Sequence, residues 1–332
     1  MREHADAACA AGYATFELEE AARGRPIIVD AWYPAANPAS ESVHDHGTSR
    51  GRVACDSDLD PGPHPAIVLS HGAFGAARNY SWIAEYLARH GFIVLGVSHF
   101  GESWVYGFDR IDPASVTQPW HRPRDCSYVL DRLLEHPAFR GVIDPARIGA
   151  LGHSTGGATA IELAGGVFDY AAMARYCASN VAHCDKGCEY ARQGGAISAE
   201  ESLPLSQLDS RIRAVVALDP ALGPGHQPDS LAAIRIPVHV VGAVDNDFLP
   251  FKQHAARYAS SIPGASLTRL DEGEGHFVFL DEGEADLLAN GVPLYRDREG
   301  VDRAGVHARL ATIISGFLVR HLMGGASEAR VS

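Results

Sequence analysis

The stretch "RIGALGHSTGGATAIELAGG", residues 147–166, decides the fold. Ile148 to Leu151 form a short apolar run of buried-strand character, and the Ala-rich segment from Thr155 onward has helical character. Between them lies Gly-His-Ser-Thr-Gly, with a second glycine at 157. A serine at such a strand–turn–helix junction must take a strained backbone conformation, and only small neighbours let the strand and helix close around it. Gly152, Gly156 and Gly157 supply those neighbours. Amides at the start of the following helix point back toward the serine, where negative charge can be stabilised. In a chain with 34 glycines a G-x-S-x-G match alone carries little weight, so the flanking sequence has to supply the context.

That context is a regular alternation. "RPIIVDAWYP" (25–34), "PAIVLSHG" (65–72), "FIVLGV" (92–97), "RIRAVVALDP" (211–220) and "IPVHVVGAVDND" (236–247) read as strands. Helical patterns fall between them. Trp82, Ile83, Tyr86 and Leu87 recur at helical spacing before Gly91, and Val129, Leu130, Leu133 and Leu134 form an apolar stripe. Residues 250–261 and 303–323 complete the helical set, and 265–276 read as a strand and loop. Strands alternating with helices predict an α/β fold with a mostly parallel central sheet covered on both faces. The Pro-, Ser-, Asp-, His- and Gly-rich segment 35–64 reads as a long surface loop. Residues 167–210 break the rhythm and read as a cysteine-containing insertion or cap after the serine-bearing turn and helix, within one domain over 13–325.

Composition narrows the function. The chain has 332 residues, 46% of them hydrophobic, and a formal charge of −13, which disfavours a polyanionic partner such as nucleic acid. No window approaches eighteen unbroken apolar residues, so no membrane span is expected. The first twenty residues carry acidic groups and lack a sustained apolar stretch, so they do not read as a signal peptide and a cytoplasmic location is expected. Three of six cysteines crowd into "CASNVAHCDKGC" (177–188), open to free thiols, a local disulfide or a metal site. His183 does not complete a zinc pattern with them, and neither a metal nor an organic cofactor is expected.

A serine hydroxyl needs a base, and the base an acid that orients it. His276, in "DEGEGHFVFL", follows the last strand-like run and precedes the terminal helix, which is the position such a base takes. His254 and His307 lie in helical patterns and read as surface or packing residues. Two acids fit the carboxyl edge of a parallel sheet: Asp219 in "ALDP" and Asp245 in "GAVDND". The loop "SHGAFGAARNY" (70–80) offers the Ala73 amide, with that of Thr155, as an oxyanion-binding pair. Phe74, His99, Trp104 and His153 are candidate pocket residues.

Taken together, the blocks "GRPIIVDAWYPA", "LSHGAFGAARNYSWIAEYLARHGFIVLGVSH", "RPRDCSYVLDRLL", "DPARIGALGHSTGGATAIELAG", "RIRAVVALDPALG" and "GEGHF" resemble the α/β-hydrolases. Within them the chain is similar to the platelet-activating-factor acetylhydrolase and bacterial dienelactone hydrolase-like group. The resemblance favours Asp219 over Asp245 as the acid. It implies a serine carboxylic-ester hydrolase acting on a small or short-acyl ester. The serine departs from true dienelactone hydrolases, which carry cysteine, so that activity does not transfer. An acyltransferase or amidase with the same residues, or a non-catalytic binding protein on the same scaffold, stands as the alternative.

Overall fold

The described chain begins with a strand that the sequence patterning did not single out. β1 (Ala10–Glu20) pairs antiparallel with β2 (Arg25–Ala35) along its whole length, and its exposed face alternates with its packed one. The computed structural model describes residues 10–37, 41–193 and 205–324. The expected loop over 35–64 holds two further strands, β3 (Ser42–Asp45) and β4 (Arg50–Cys55), which pair with each other and extend the sheet beyond β1. Their short length and mixed burial left no alternation long enough to read.

The rest follows the predicted alternation. β5 (His64–Ser70), α1 (Ser81–Arg89), β6 (Ile93–Ser98), α2 (His121–Leu134), β7 (Ile143–His153) and α3 (Thr155–Leu163) lead to the insertion, with α4 (Tyr170–Cys177) and α5 (Gly187–Gln193). Then come β8 (Ile212–Leu218), α6 (Pro228–Ala233), β9 (Val238–Ala243), α7 (Ala255–Ser261), β10 (Ser266–Leu270), a small hairpin of β11 (Leu288–Ala289) and β12 (Val292–Pro293), and α8 (Arg303–Leu318). The ten strands of the main sheet run in the order β10-β9-β8-β7-β5-β6-β2-β1-β4-β3. The block from β10 to β6 is parallel throughout, and β2 turns the sheet antiparallel.

Side chains alternate across the parallel strands and so build two cores. On one face Val68, Ala150, Val215 and Val240 pack under α2, α3, α6 and α7; on the other, Ile67, Leu151, Val216 and Val241 pack under α1 and α8. The two faces leave the carboxyl ends of β5, β7, β8 and β9 side by side at one edge, where open parallel sheets hold their ligands.

The approach of α3 to β5 is backbone against backbone. A Cβ on Gly156 would strike the carbonyl of Ser70, and one on Gly152 would strike the carbonyl of Gly156. Gly156→Ala must force these elements apart, at a cost of about 1–3 kcal/mol or more. Gly316, exposed on α8 with open space around it, provides the opposite case. Gly316→Ala should stabilise by about 0.4–1 kcal/mol. Urea denaturation should therefore move the midpoint down for the first and up for the second; equal midpoints for the two variants would contradict the packing described.

Candidate active site

Ser154 sits at the turn between β7 and α3 with φ 57° and ψ −121°, a conformation that L-residues avoid. Its peptide is pinned on both sides: the amide donates to Leu218 O at 3.0 Å, and the carbonyl accepts from Ala158 N and Ala221 N. Six non-glycine residues among those described have positive φ, and Phe74, Ser154, Asp219, Leu222 and Asn290 all border the same two cavities or the groups that face them. Such strain persists only where surrounding structure fixes it, and it gathers at functional sites.

The side chains that the sequence singled out come together here. His276 Nε2 lies 3.0 Å from Ser154 Oγ, and its Nδ1 lies 2.5 Å from Asp219 Oδ2. Asp219 is the first residue beyond β8, His276 begins a short 3-10 turn after β10, and both are 1% exposed. Asp219 also accepts from Ala243 N at 3.2 Å and from the Asn246 amide. Burial pushes the Asp219 carboxyl up and the His276 imidazolium down. The donors from Asn246 and Ala243 pull Asp219 back toward the carboxylate. The imidazole thus carries one proton, on Nδ1 and directed at Asp219, and its Nε2 lone pair faces the serine. Asp245 is a correction to the alternative: it is exposed, and Arg298 donates to its backbone carbonyl. Its neighbour Asp247 instead accepts the His276 amide at 3.0 Å, so it fixes the histidine's backbone.

Ala73 and Thr155 border the smaller cavity together with Ser154. Thr155 opens α3, where no preceding turn can accept its N–H. The Ala73 amide has no acceptor among the backbone hydrogen bonds of the described residues. Its direction is set through the other end of the same peptide. Gly72 O accepts from His71 Nδ1 at 2.6 Å, from Gly75 N at 3.2 Å and from Arg122 Nη2 at 3.4 Å. In a trans peptide the N–H points opposite to the C=O, so three donors on the Gly72 carbonyl turn the Ala73 N–H the other way. Arg122 is itself buried, paired with Glu102, and donates to His71 O at 2.6 Å.

One of the four candidate pocket residues changes role. His99 does not line the pocket: it is fully buried, between Ser70 Oγ at 2.8 Å and Asp125 at 3.0 Å. Its place at the end of β6 pointed it at the ligand edge, but the side chain turns under the loop at 71–76. His153 borders the cavity floor with both ring nitrogens occupied, by the Tyr80 hydroxyl at 2.9 Å and by His276 O at 2.9 Å. Tyr80 in turn accepts from Gly72 N. Phe74 and Trp104 do line the cavity. His254 is buried, and its Nε2 meets Asp185 of the insertion at 2.8 Å. His307 is buried as expected of a packing residue and stacks on Trp82.

Of the insertion, residues 194–204 lie outside the described residues, as does Cys9. The rest folds over the site. Cys177 and Cys188 form a disulfide that ties α4 to α5, while Cys184 is a free, exposed thiol. Lys186 N donates to Phe248 O, and Asn290 Nδ2 donates to Lys186 O, so the insertion is bound to the β9–α7 loop and to the small hairpin. Sequence reasoning missed Tyr190, Phe248 and Asn246. Only Asn246 carried a signal, as the polar residue that follows the candidate acid Asp245 in "VDND".

A family model described as platelet-activating factor acetylhydrolase, isoform II, matches residues 45–120. Over its whole length the chain superposes on a ferulic acid esterase from Streptomyces cinnamoneus with a TM-score of 0.63 at 21% identity, covering 97% of this chain and 93% of that one. The fold is that of an α/β-hydrolase. A bis(hydroxyethyl) terephthalate hydrolase of Streptomyces coelicolor is 22% identical over 70% of this chain and 56% of its own length. A platelet-activating factor acetylhydrolase of Cavia porcellus is 31% identical over 35% of this chain and 36% of its own. The chain spans less than two thirds of the length of these curated relatives. Among the described residues, no helix is long and apolar enough to cross a membrane.

Burial also sets how stability depends on pH. His71, His153 and His307 are buried, and desolvation lowers each pKa below 6.5, to about 4 for His307. The unfolded chain takes up protons at these positions near pH 6.5, whereas the folded chain does not. Stability is therefore full above that pH and falls as pH drops, by about 1.4 kcal/mol per pH unit for each histidine until its folded pKa is reached. Burial pushes the carboxyls of Asp219, Glu162 and Asp281 up, which acts in the opposite sense, so the urea midpoint of His307→Gln should fall less than the parent's from pH 6.5 to 4.5; an equal fall in both would contradict neutral burial of that ring.

Proposed function

We propose that this α/β-hydrolase is a serine carboxylic-ester hydrolase acting through an acyl-enzyme. The observation that carries it is the hydrogen-bonded line from Ser154 Oγ through His276 to Asp219, beside a cavity of about 540 Å³. In this reading Ser154 Oγ attacks the ester carbonyl while its proton passes to His276 Nε2. Asp219 stabilises the imidazolium so formed and keeps the ring in the correct tautomer. The carbonyl oxygen, now an oxyanion, is received by the Ala73 and Thr155 amides. The tetrahedral adduct collapses, His276 returns the proton to the leaving oxygen, and the alcohol departs. Water then repeats the sequence on the acyl-enzyme, with His276 again as base. The relatives' names, which include a terephthalate-ester hydrolase, an acetylhydrolase and a ferulic acid esterase, support the same reaction class.

Ser154→Ala should lower kcat on 4-nitrophenyl acetate by about a thousandfold or more and abolish labelling by a fluorophosphonate. Asp219→Asn should lose most of kcat, while Asp245→Asn should stay within about twofold of the parent. Both comparisons require variants with the parent's circular dichroism. Full activity in Ser154→Ala would refute the proposal, and a loss confined to Asp245→Asn would move the acid to the next strand.

A further inference from the structure

Ser154 stands between two cavities, not in one. The larger, of about 540 Å³, is bordered by His276, Trp104 and the hairpin; the smaller, of about 40 Å³, lies under the insertion. Ala73, Ser154, Tyr190 and Phe248 border both. The two differ in a way that the chemistry can use. His276 lines the large cavity and not the small one, whereas Thr155 lines the small cavity and not the large one.

A leaving alkoxide must take its proton from His276 Nε2, so the alcohol half of an ester has to lie on the imidazole side. The acyl half then lies on the opposite side of the carbonyl, toward Thr155 and the insertion. We propose that the site sorts its ester by halves: a short acyl group in the small cavity, a bulky uncharged apolar alcohol in the large one, and Tyr190 as the wall between them. This rests on the esterase reading above.

The acyl limit follows from volume. A water-sized group needs about 10–15 Å³ of such space, so about 40 Å³ holds roughly three carbon-sized groups beyond the carbonyl carbon. That is a butyryl chain at most. The walls are Met173 of α4, Gly187 and Tyr190 of α5, and Phe168, Leu222 and Leu249. They cannot easily give way. The Cys177–Cys188 disulfide ties α4 to α5, and the buried Asp185–His254 pair holds the segment between them to the turn before α7. Gly223 N donates to His254 Nδ1, so Nε2 carries the hydrogen donated to Asp185. Tyr190 is wedged edge-on to Phe74 at 5.1 Å between ring centres and faces Phe248 at 5.7 Å.

The alcohol side has the opposite character. No Lys, Arg, Asp or Glu is among the residues that line the large cavity. Its mouth carries Phe108, Leu287 and Leu288, which are exposed large apolar side chains. Such a rim suits an apolar group and gives nothing to pair with a charge.

The test is a two-way ester series on the full chain. With 4-nitrophenol fixed as the alcohol, kcat/KM should hold from acetate to butyrate and fall at least tenfold at octanoate. With acetate fixed as the acyl group, benzyl and 2-naphthyl esters should exceed acetylcholine by at least tenfold. Tyr190→Ala should raise the octanoate-to-acetate ratio at least tenfold by joining the cavities. Met173→Ala, on the far wall, should raise the same ratio, so that one misfolded variant does not decide the matter; fluorophosphonate labelling of Ser154 checks the fold of each. Octanoate turned over as well as butyrate by the parent would overturn the assignment. So would a Tyr190→Ala and Met173→Ala pair that widen the alcohol range and not the acyl range. If no ester is cleaved and Ser154 is not labelled, the esterase reading fails and takes this inference with it.

Discussion

The contact between the start of α3 and the end of β5 sets the geometry of everything around it. Gly156 lies against the Ser70 carbonyl with no room for a methyl group, and Gly152 closes the same turn from below. Because those backbones touch, Ser154 is thrust outward at positive φ, and the Thr155 amide emerges beside it with no helical acceptor. The same contact brings the loop at 71–76 beside the serine, so that Ala73 and Thr155, from elements far apart in sequence, border the smaller cavity together with Ser154.

Around that contact, the groups beside Ser154 are held by hydrogen bonds from several neighbouring elements. His276 is gripped at its backbone by Asp247 on the amide and by His153 on the carbonyl, while its imidazole is held by Asp219 on Nδ1 and by the Phe248 ring stacked on it. Ala73 is aimed through the Gly72 carbonyl, and Gly72 N is occupied by Tyr80. Beneath the loop, Ser70, His99 and Asp125 form a second hydroxyl–imidazole–carboxylate line at 2.8 and 3.0 Å. It is fully buried, and Arg25 holds Asp125 from the other side. The residue types match those at Ser154, but none of the three lines either cavity beside Ser154. Its role is to carry polarity across the core with every donor met, which is what separates a buried network from a reacting one.

Much of this was legible in the sequence because strong local signals agreed with each other. The parallel strands β5 to β9 carry apolar runs, and Ser154 and His276 sit where the glycine-rich turns are. What was not legible depends on side-chain direction and on register. Asp219 and Asp245 both follow apolar strands, and nothing local separates them. The structure does so because β8 lies next to β7 in the sheet, and the β9 end contributes Ala243 N and Asn246 as donors to Asp219. His99 and Phe74 both stand at strand ends by the ligand edge, yet one rotates under the loop and the other into the cavity. β1, β3 and β4 were missed because an Ala-rich start and short strands between turns carry little alternation.

The insertion was read as an interruption, and in the structure it acts as a wall. Its own apolar cluster is small, with Met173, Ala182 and Cys188 buried among partly covered neighbours, and such a patch would not hold a shape by burial alone. It borrows rigidity instead. A disulfide closes eleven residues of chain, and loop closure of this kind restricts the unfolded state more than it adds contacts to the folded one. The Asp185–His254 pair and the Lys186–Phe248 and Lys186–Asn290 hydrogen bonds then tie the insertion to loops that leave the same sheet edge as Asp219 and His276. The wall and the reacting groups are thereby fixed to one frame. A cavity of about 40 Å³ can discriminate by a single carbon only if its walls cannot yield by that much, and it is this shared frame that keeps them from yielding.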